Sequence, residues 1–126
     1  FEIEELMNMP DKFAIPVLLY LFRRIERSLK SQPSAIILDE AWLMLSSPIF
    51  REKIREWLKV LRKANCIVIL ATQSLSDVSN SPIFDVIVES TASKIFLPNI
   101  YALNPETKQL YQNMGLNSQQ IEIINA

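Results

Sequence analysis

The sequence has one glycine in 126 residues, Gly115, and no histidine. Ordinary usage of about 7% would give a chain of this length roughly nine glycines. The phosphate loop G-x-x-x-x-G-K-[ST] of P-loop NTPases needs two glycines ahead of its lysine, so a complete loop is excluded. Lys30, before Ser31, is the only lysine followed by serine or threonine, and no glycine precedes it. The same shortage excludes a G-x-G-x-x-G dinucleotide fingerprint and a G-x-S-x-G nucleophile elbow. Without histidine there is no Ser-His-Asp triad, no Cys-His dyad and no imidazole metal ligand. Cys66 is the only cysteine, which forbids an internal disulfide and is compatible with a reducing compartment. Its apolar neighbours predict a buried, unreactive thiol. No charge of one sign dominates, with 13 basic residues against 14 acidic, so any nucleic-acid contact would be local. Long apolar runs are also missing. Ala14 to Phe22, interrupted by Pro16, covers about half of what a bilayer crossing needs. The acidic opening at Glu2, Glu4 and Glu5 gives no signal peptide.

What is present is enough apolar material, 49% of the residues, for the core of one domain or part of one. Pro16 is expected near the start of a helix whose apolar stripe runs through Val17, Leu18, Leu21, Phe22, Ile25 and Leu29. Arg23, Arg24, Arg27 and Lys30 lie off that stripe. Ser31 to Ser34 break the helix, and Ala35 to Leu38 is a continuous apolar run suited to a strand covered on both faces of a parallel sheet. A second amphipathic helix covers Ile49 to Ala64, with Phe50, Ile54, Trp57, Leu58 and Leu61 on its apolar side. Lys53, Arg55 and Lys59 read as its solvated basic face. Cys66 to Ala71 is a second strand, Pro82 to Ser90 a short helix and Lys94 to Leu97 a third strand. Beyond Pro98 the pattern becomes polar and helical, with Pro105 at a helix start, Gly115 as a C-cap after Met114, and a last helical turn from Asn117 or Ser118.

This alternation predicts an α/β fold, a parallel sheet with flanking helices and a helical C-terminal segment over 104–126. Ligands of such sheets gather at the carboxyl ends of the strands. There the sequence places Asp39 and Glu40 after the first strand, and Thr72 and Gln73 after the second. An apolar strand ending in Asp-Glu is the pattern of a Walker-B segment with an added catalytic glutamate. The first carboxylate holds Mg²⁺, usually through water, and the second orients or deprotonates the attacking water. The alternative is a buried strand stopping at two solvated carboxylates. An amide at the tip of the next strand, Gln73, is suited to positioning the lytic water or sensing the γ-phosphate. Arg62, at the end of the basic helix, is a candidate arginine finger for a neighbouring subunit's nucleotide.

The runs Ala35-Ile-Ile-Leu-Asp-Glu-Ala-Trp-Leu-Met-Leu45, Ile54-Arg-Glu-Trp-Leu-Lys-Val-Leu-Arg-Lys63 and Ala71-Thr-Gln-Ser-Leu-Ser-Asp77 resemble the conjugal-transfer ATPases of type IV secretion systems, of the VirB-four, TrbE and CagE type. Phe1-Glu-Ile-Glu4 and Lys94-Ile-Phe-Leu-Pro-Asn99 extend the resemblance over nearly the whole chain. It implies a partial RecA-like P-loop NTPase fold. It also implies ATP and Mg²⁺ as ligands of the parent protein, Asp39 as the metal aspartate, Glu40 as the catalytic glutamate, Gln73 as sensor and Arg62 as trans-acting arginine. Trp42, beneath the loop after the first strand, and Trp57, on the buried helix face, are expected to pack. The family's partners are implied likewise: a hexamer, other secretion components, and a peripheral place on the cytoplasmic face of the bacterial inner membrane.

The family's phosphate loop lies upstream of the matching segment and its final strands lie downstream. The chain is therefore expected to be an internal or C-terminal piece carrying the hydrolysis half of a site, inactive alone. Two other functions compete: a non-catalytic interaction module docking through the helices from Asn104 onward, and a fragment of a related DNA-translocating coupling ATPase.

Overall fold

The computed structural model describes residues 4–125, apart from the side chains of residues 4, 7 and 42–44. These residues form two compact units, one ending at Ala71 and the other starting at Thr72.

The first unit opens with α1 (Glu4–Met7) and α2 (Asp11–Ser28). Helix α2 begins before the expected start, so Pro16 lies inside it, where the ring removes one helical N–H. Leu18 and Phe22 are buried on the predicted stripe, whereas Val17 faces solvent. Strand β1 (Ser34–Leu38) follows, then α3 (Ala41–Ser46), α4 (Pro48–Val60), a 3₁₀ turn over Leu61–Ala64, and β2 (Cys66–Leu70). Helix α3 occupies the stretch that the sequence suggests is a loop. The packing expected of Trp42 lies outside the described side chains.

Aromatic packing joins α2 to α4. Phe22 meets Phe50 edge-on at 5.7 Å between ring centroids and Trp57 at 4.8 Å, a geometry that adds to the effect of burial itself. The Trp57 indole N–H donates to Glu26 Oε1 at 2.7 Å, giving the polar end of a buried ring its partner. Lys53 also turns inward. Its ammonium bonds Glu26 at 2.5 Å and Glu56 at 3.0 Å, so it does not belong to the solvated basic face predicted for it. Burial works against both charges of this cluster. The hydrogen bonds from Lys53 and Trp57 nonetheless hold the Glu26 carboxyl below its ordinary range, and those to Glu26 and Glu56 hold the Lys53 ammonium above its own.

Strands β1 and β2 pair in parallel, with Ser34 opposite Cys66 and Leu38 opposite Leu70. Cys66 is buried as expected. The prediction of a strand covered on both faces fails. Ala35, Ile37, Ile67 and Ile69 share one face, on which the three isoleucines are 66%, 61% and 44% exposed.

The second unit contains α5 (Leu75–Ser79), α6 (Phe84–Ser90), α7 (Pro105–Asn113) and α8 (Ser118–Ile124). Its core joins Ala102, Tyr111, Ile121 and Ile124 to Leu75, Phe96 and Leu116. Gly115 takes φ +94°, the left-handed turn that ends α7, and Asn117 and Gln120 form a reciprocal capping box at the start of α8.

Lys94–Leu97 is not a strand, in contrast to the sequence expectation. Alternation survives: Phe96 packs edge-on against Tyr111 at 5.5 Å, while Ile95 and Leu97 are 90% and 76% exposed. A strand is defined by its neighbour, and among the described residues none pairs with this segment, leaving a two-stranded sheet.

Candidate functional site at the carboxyl end of the sheet

The ladder between β1 and β2 continues one step beyond each strand. The Ala71 N–H donates to the Leu38 carbonyl at 2.9 Å, and the Ala41 N–H donates to the Ala71 carbonyl at 3.0 Å. These two bonds clamp Asp39 and Glu40 at the carboxyl edge of the sheet. Side-chain patterns carry no signal for this clamp, because it is made by the backbone of two alanines.

Asp39 is exposed and Glu40 half-buried. One Asp39 carboxylate oxygen accepts the Glu40 N–H at 3.1 Å. Glu40 itself adopts φ 51°, ψ 45° as the residue preceding α3. A left-handed conformation is uncommon for a residue with a long side chain. It turns the chain directly from β1 into α3 and separates the directions of the two carboxylates.

A single exposed aspartate suits a hard cation that keeps most of its water. Among the described residues no group of three or more Asp, Glu, His or Cys side chains could form an all-protein cage. The donor set therefore fits Mg²⁺ held through water by Asp39.

Arg62 lies in the 3₁₀ turn and is exposed. The turn ends at Asn65, which takes φ 57° and whose carbonyl accepts the Ser34 N–H at 3.1 Å. Arg62 is thus at the amino end of β2, the opposite end of the sheet from Asp39 and Glu40. At about 3.3 Å per residue, five paired residues put roughly 17 Å between the two ends. The structure brings Asp39 and Glu40 together and keeps Arg62 apart from them.

Gln73 follows Ala71 by two residues and belongs to the second unit. It is exposed, between Thr72 and Ser74. The Thr72 hydroxyl accepts the Ser74 N–H at 3.2 Å, and Ser74 Oγ accepts the Asp77 N–H at 3.4 Å to cap α5.

The model of the TraG P-loop domain matches residues 1–126. The chain is 63% identical over 124 residues to conjugal transfer protein TrbE of Rhizobium radiobacter, covering 98% of this chain and 15% of that protein. It is 62% identical over 125 residues to a probable conjugal transfer protein TrbE of Sinorhizobium fredii (strain NBRC 101917 / NGR234), covering 99% and 19%. Type IV secretion system protein CagE of Helicobacter pylori is 42% identical over 83 residues, covering 66% of this chain and 8% of that protein. The chain spans less than a fifth of the length of each of these relatives. By the full-length family match and these identities, the chain belongs to the TraG P-loop domain family of conjugal-transfer and type IV secretion ATPases.

Proposed function

We propose that this chain supplies the hydrolysis half of the nucleotide site in a motor ATPase of type IV secretion, which powers pilus assembly or substrate transfer. The observation that carries this reading is the pair Asp39 and Glu40, fixed at the carboxyl edge of a parallel sheet by the bonds of Ala41 and Ala71.

In this mechanism Glu40 accepts a proton from the attacking water and aims that water at the γ-phosphorus of ATP. Asp39 holds a water of the Mg²⁺ shell. When bound, Mg²⁺ neutralises charge on the β- and γ-phosphate oxygens. The amide of Gln73 positions the same water or contacts the γ-phosphate. Arg62 stabilises charge on the phosphoryl group in the site of a neighbouring copy, within a hexameric ring. The lone glycine of the chain forms no phosphate loop, so the backbone N–H groups and lysine that grip the phosphates come from elsewhere in the motor.

The motor works with other secretion components, peripherally on the cytoplasmic face of the inner membrane. In support, no helix among the described residues is long and apolar enough to cross a membrane.

The test is ATP hydrolysis by a protein in which this segment is joined to a phosphate loop. Asp39→Asn, Glu40→Gln and Arg62→Ala should each lower turnover by a factor of about 10² or more, on the order of what removing one charge-stabilising or proton-transferring group costs. Undiminished turnover in all three would refute the assignment and favour a non-catalytic interaction module. The 126-residue chain alone should show no measurable turnover; saturable hydrolysis lost on Glu40→Gln would contradict that.

A further inference from the structure

Parallel strands joined by helical crossovers are normally buried on both faces, yet here the sheet is finished on one face only. The connection from β1 to β2 through α3, α4 and the 3₁₀ turn joins adjacent parallel strands, so it lies over a single face. The side carrying Leu38 and Cys66 is buried. The opposite side presents Ala35, Ile37, Ile67 and Ile69, and no charged residue stands among them. A transiently used contact surface is ordinarily rimmed by polar groups; this strip is aliphatic throughout.

We propose that the bare face is the seat of an amphipathic helix from the same polypeptide, outside these 126 residues. Three observations select that occupant. A crossover winding onward in the same direction would keep its helices on the face already covered. The second face is reached only when the winding reverses, which is the arrangement of doubly wound sheets. The area argues against a second copy. A specific interface uses about 20–30 residues a side, and this strip offers four. A helix tethered in the same chain needs far less contact, because it loses no translational freedom on docking. Finally, relatives matching this chain along its whole length have more than four-fifths of their own length outside the match, ample for the missing layer.

The geometry gives the helix a size. Five residues at about 3.3 Å give a strip of roughly 17 Å, which a helix rising about 1.5 Å per residue covers with about eleven residues. Its inner stripe is aliphatic, matching three isoleucines and an alanine.

The experiment uses the polypeptide as the cell makes it. Ala35→Cys and Ile69→Cys are introduced separately and their reaction with a maleimide is timed against Lys59→Cys, an exposed reference on α4. Both face cysteines should react at least about ten-fold more slowly than the reference, as expected for sites reached only through local opening. Reaction as fast as the reference would overturn the proposal. Ala35→Cys is the smaller change and keeps the test valid if Ile69→Cys disturbs the fold. Photo-reactive p-benzoylphenylalanine in place of Ile37 then identifies the cover. A cross-link to a segment of the same polypeptide supports the proposal. A band at twice the mass, marking a second copy, or no cross-link at all, overturns it.

Discussion

Glu40 holds a left-handed backbone at φ 51°, and this strain is separable from its chemistry. For an L-residue with a Cβ the left-handed region costs about 1–2 kcal/mol, a penalty glycine escapes. Glycine also gives the unfolded chain extra freedom, which offsets about 0.4–1 kcal/mol of that gain. Glu40→Gly and Glu40→Ala both delete the carboxylate together with whatever that side chain touches, so comparing them isolates the backbone. Glu40→Gly should be the more stable by about 0.5–1 kcal/mol. For a chain between the size classes with known slopes, this is about 2–5 °C in Tm. Thermal melts of the 126-residue chain followed by circular dichroism read the difference. Both variants should be equally inactive when this segment is part of a complete motor, since neither has a base at this position. Equal melting points, or a more stable Glu40→Ala, would show that the left-handed turn carries no strain and would remove the argument that the fold stabilises an unfavourable backbone to aim this carboxylate.

How much of this was legible in the sequence depends on which interaction fixed each element. Both strands, the helix over α4 and the terminal helices were readable from apolar runs, three- and four-residue spacing, Pro105, Gly115 and Asn117. These are local signals, and local structure obeys them. The site pair was legible for the same reason, because Asp39 and Glu40 follow an apolar run without a break. The left-handed turn at Glu40 was not, since nothing about glutamate announces it; the clamp of Ala41 on Ala71 joins residues 30 apart through backbone atoms alone. Periodicity places Lys53 on the solvated side, but a lysine stem is long enough to carry its ammonium round to Glu26. The third strand failed for a different reason. Lys94–Leu97 has the alternation of a strand, and alternation cannot supply a partner. The exposed isoleucines of β1 and β2 teach the same lesson: apolar runs report that a face is to be covered, without saying by what.

Three further outcomes follow from the packing and from the placement of Arg62. Trp57→Ala removes a fully buried indole and should cost about 3–5 kcal/mol, whereas Trp57→Phe keeps most of the packing but deprives Glu26 of a donor, at about 1–3 kcal/mol; urea unfolding measures both, and a cost near zero for Trp57→Ala would refute the packing described. The Glu26 carboxyl is held below its ordinary 4.5, so its stabilisation is fully present above that pH and is lost as pH falls through the lower folded value. Lys53 is held above its ordinary 10.5, so its contribution is present below that pH and is lost as pH rises through the higher folded value. Glu26→Gln should flatten the acid limb of stability against pH; an unchanged limb would show that the cluster does not couple to folding. The last outcome tests which subunit each residue serves. Glu40 and Arg62 lie at opposite ends of the sheet, roughly 17 Å apart along the strands, a distance no side chain spans. If Arg62 acts at all, it acts on a neighbour's nucleotide. In a ring assembled from equal amounts of Glu40→Gln and Arg62→Ala subunits, a site is intact when its glutamate comes from an Arg62→Ala subunit and its arginine from a Glu40→Gln neighbour. Random assembly makes about one site in four intact in such a head-to-tail ring, so two inactive proteins should regain up to about a quarter of wild-type ATP turnover on mixing. If both residues served the same subunit's nucleotide, every site in the mixture would lack one of them, and mixing would restore nothing.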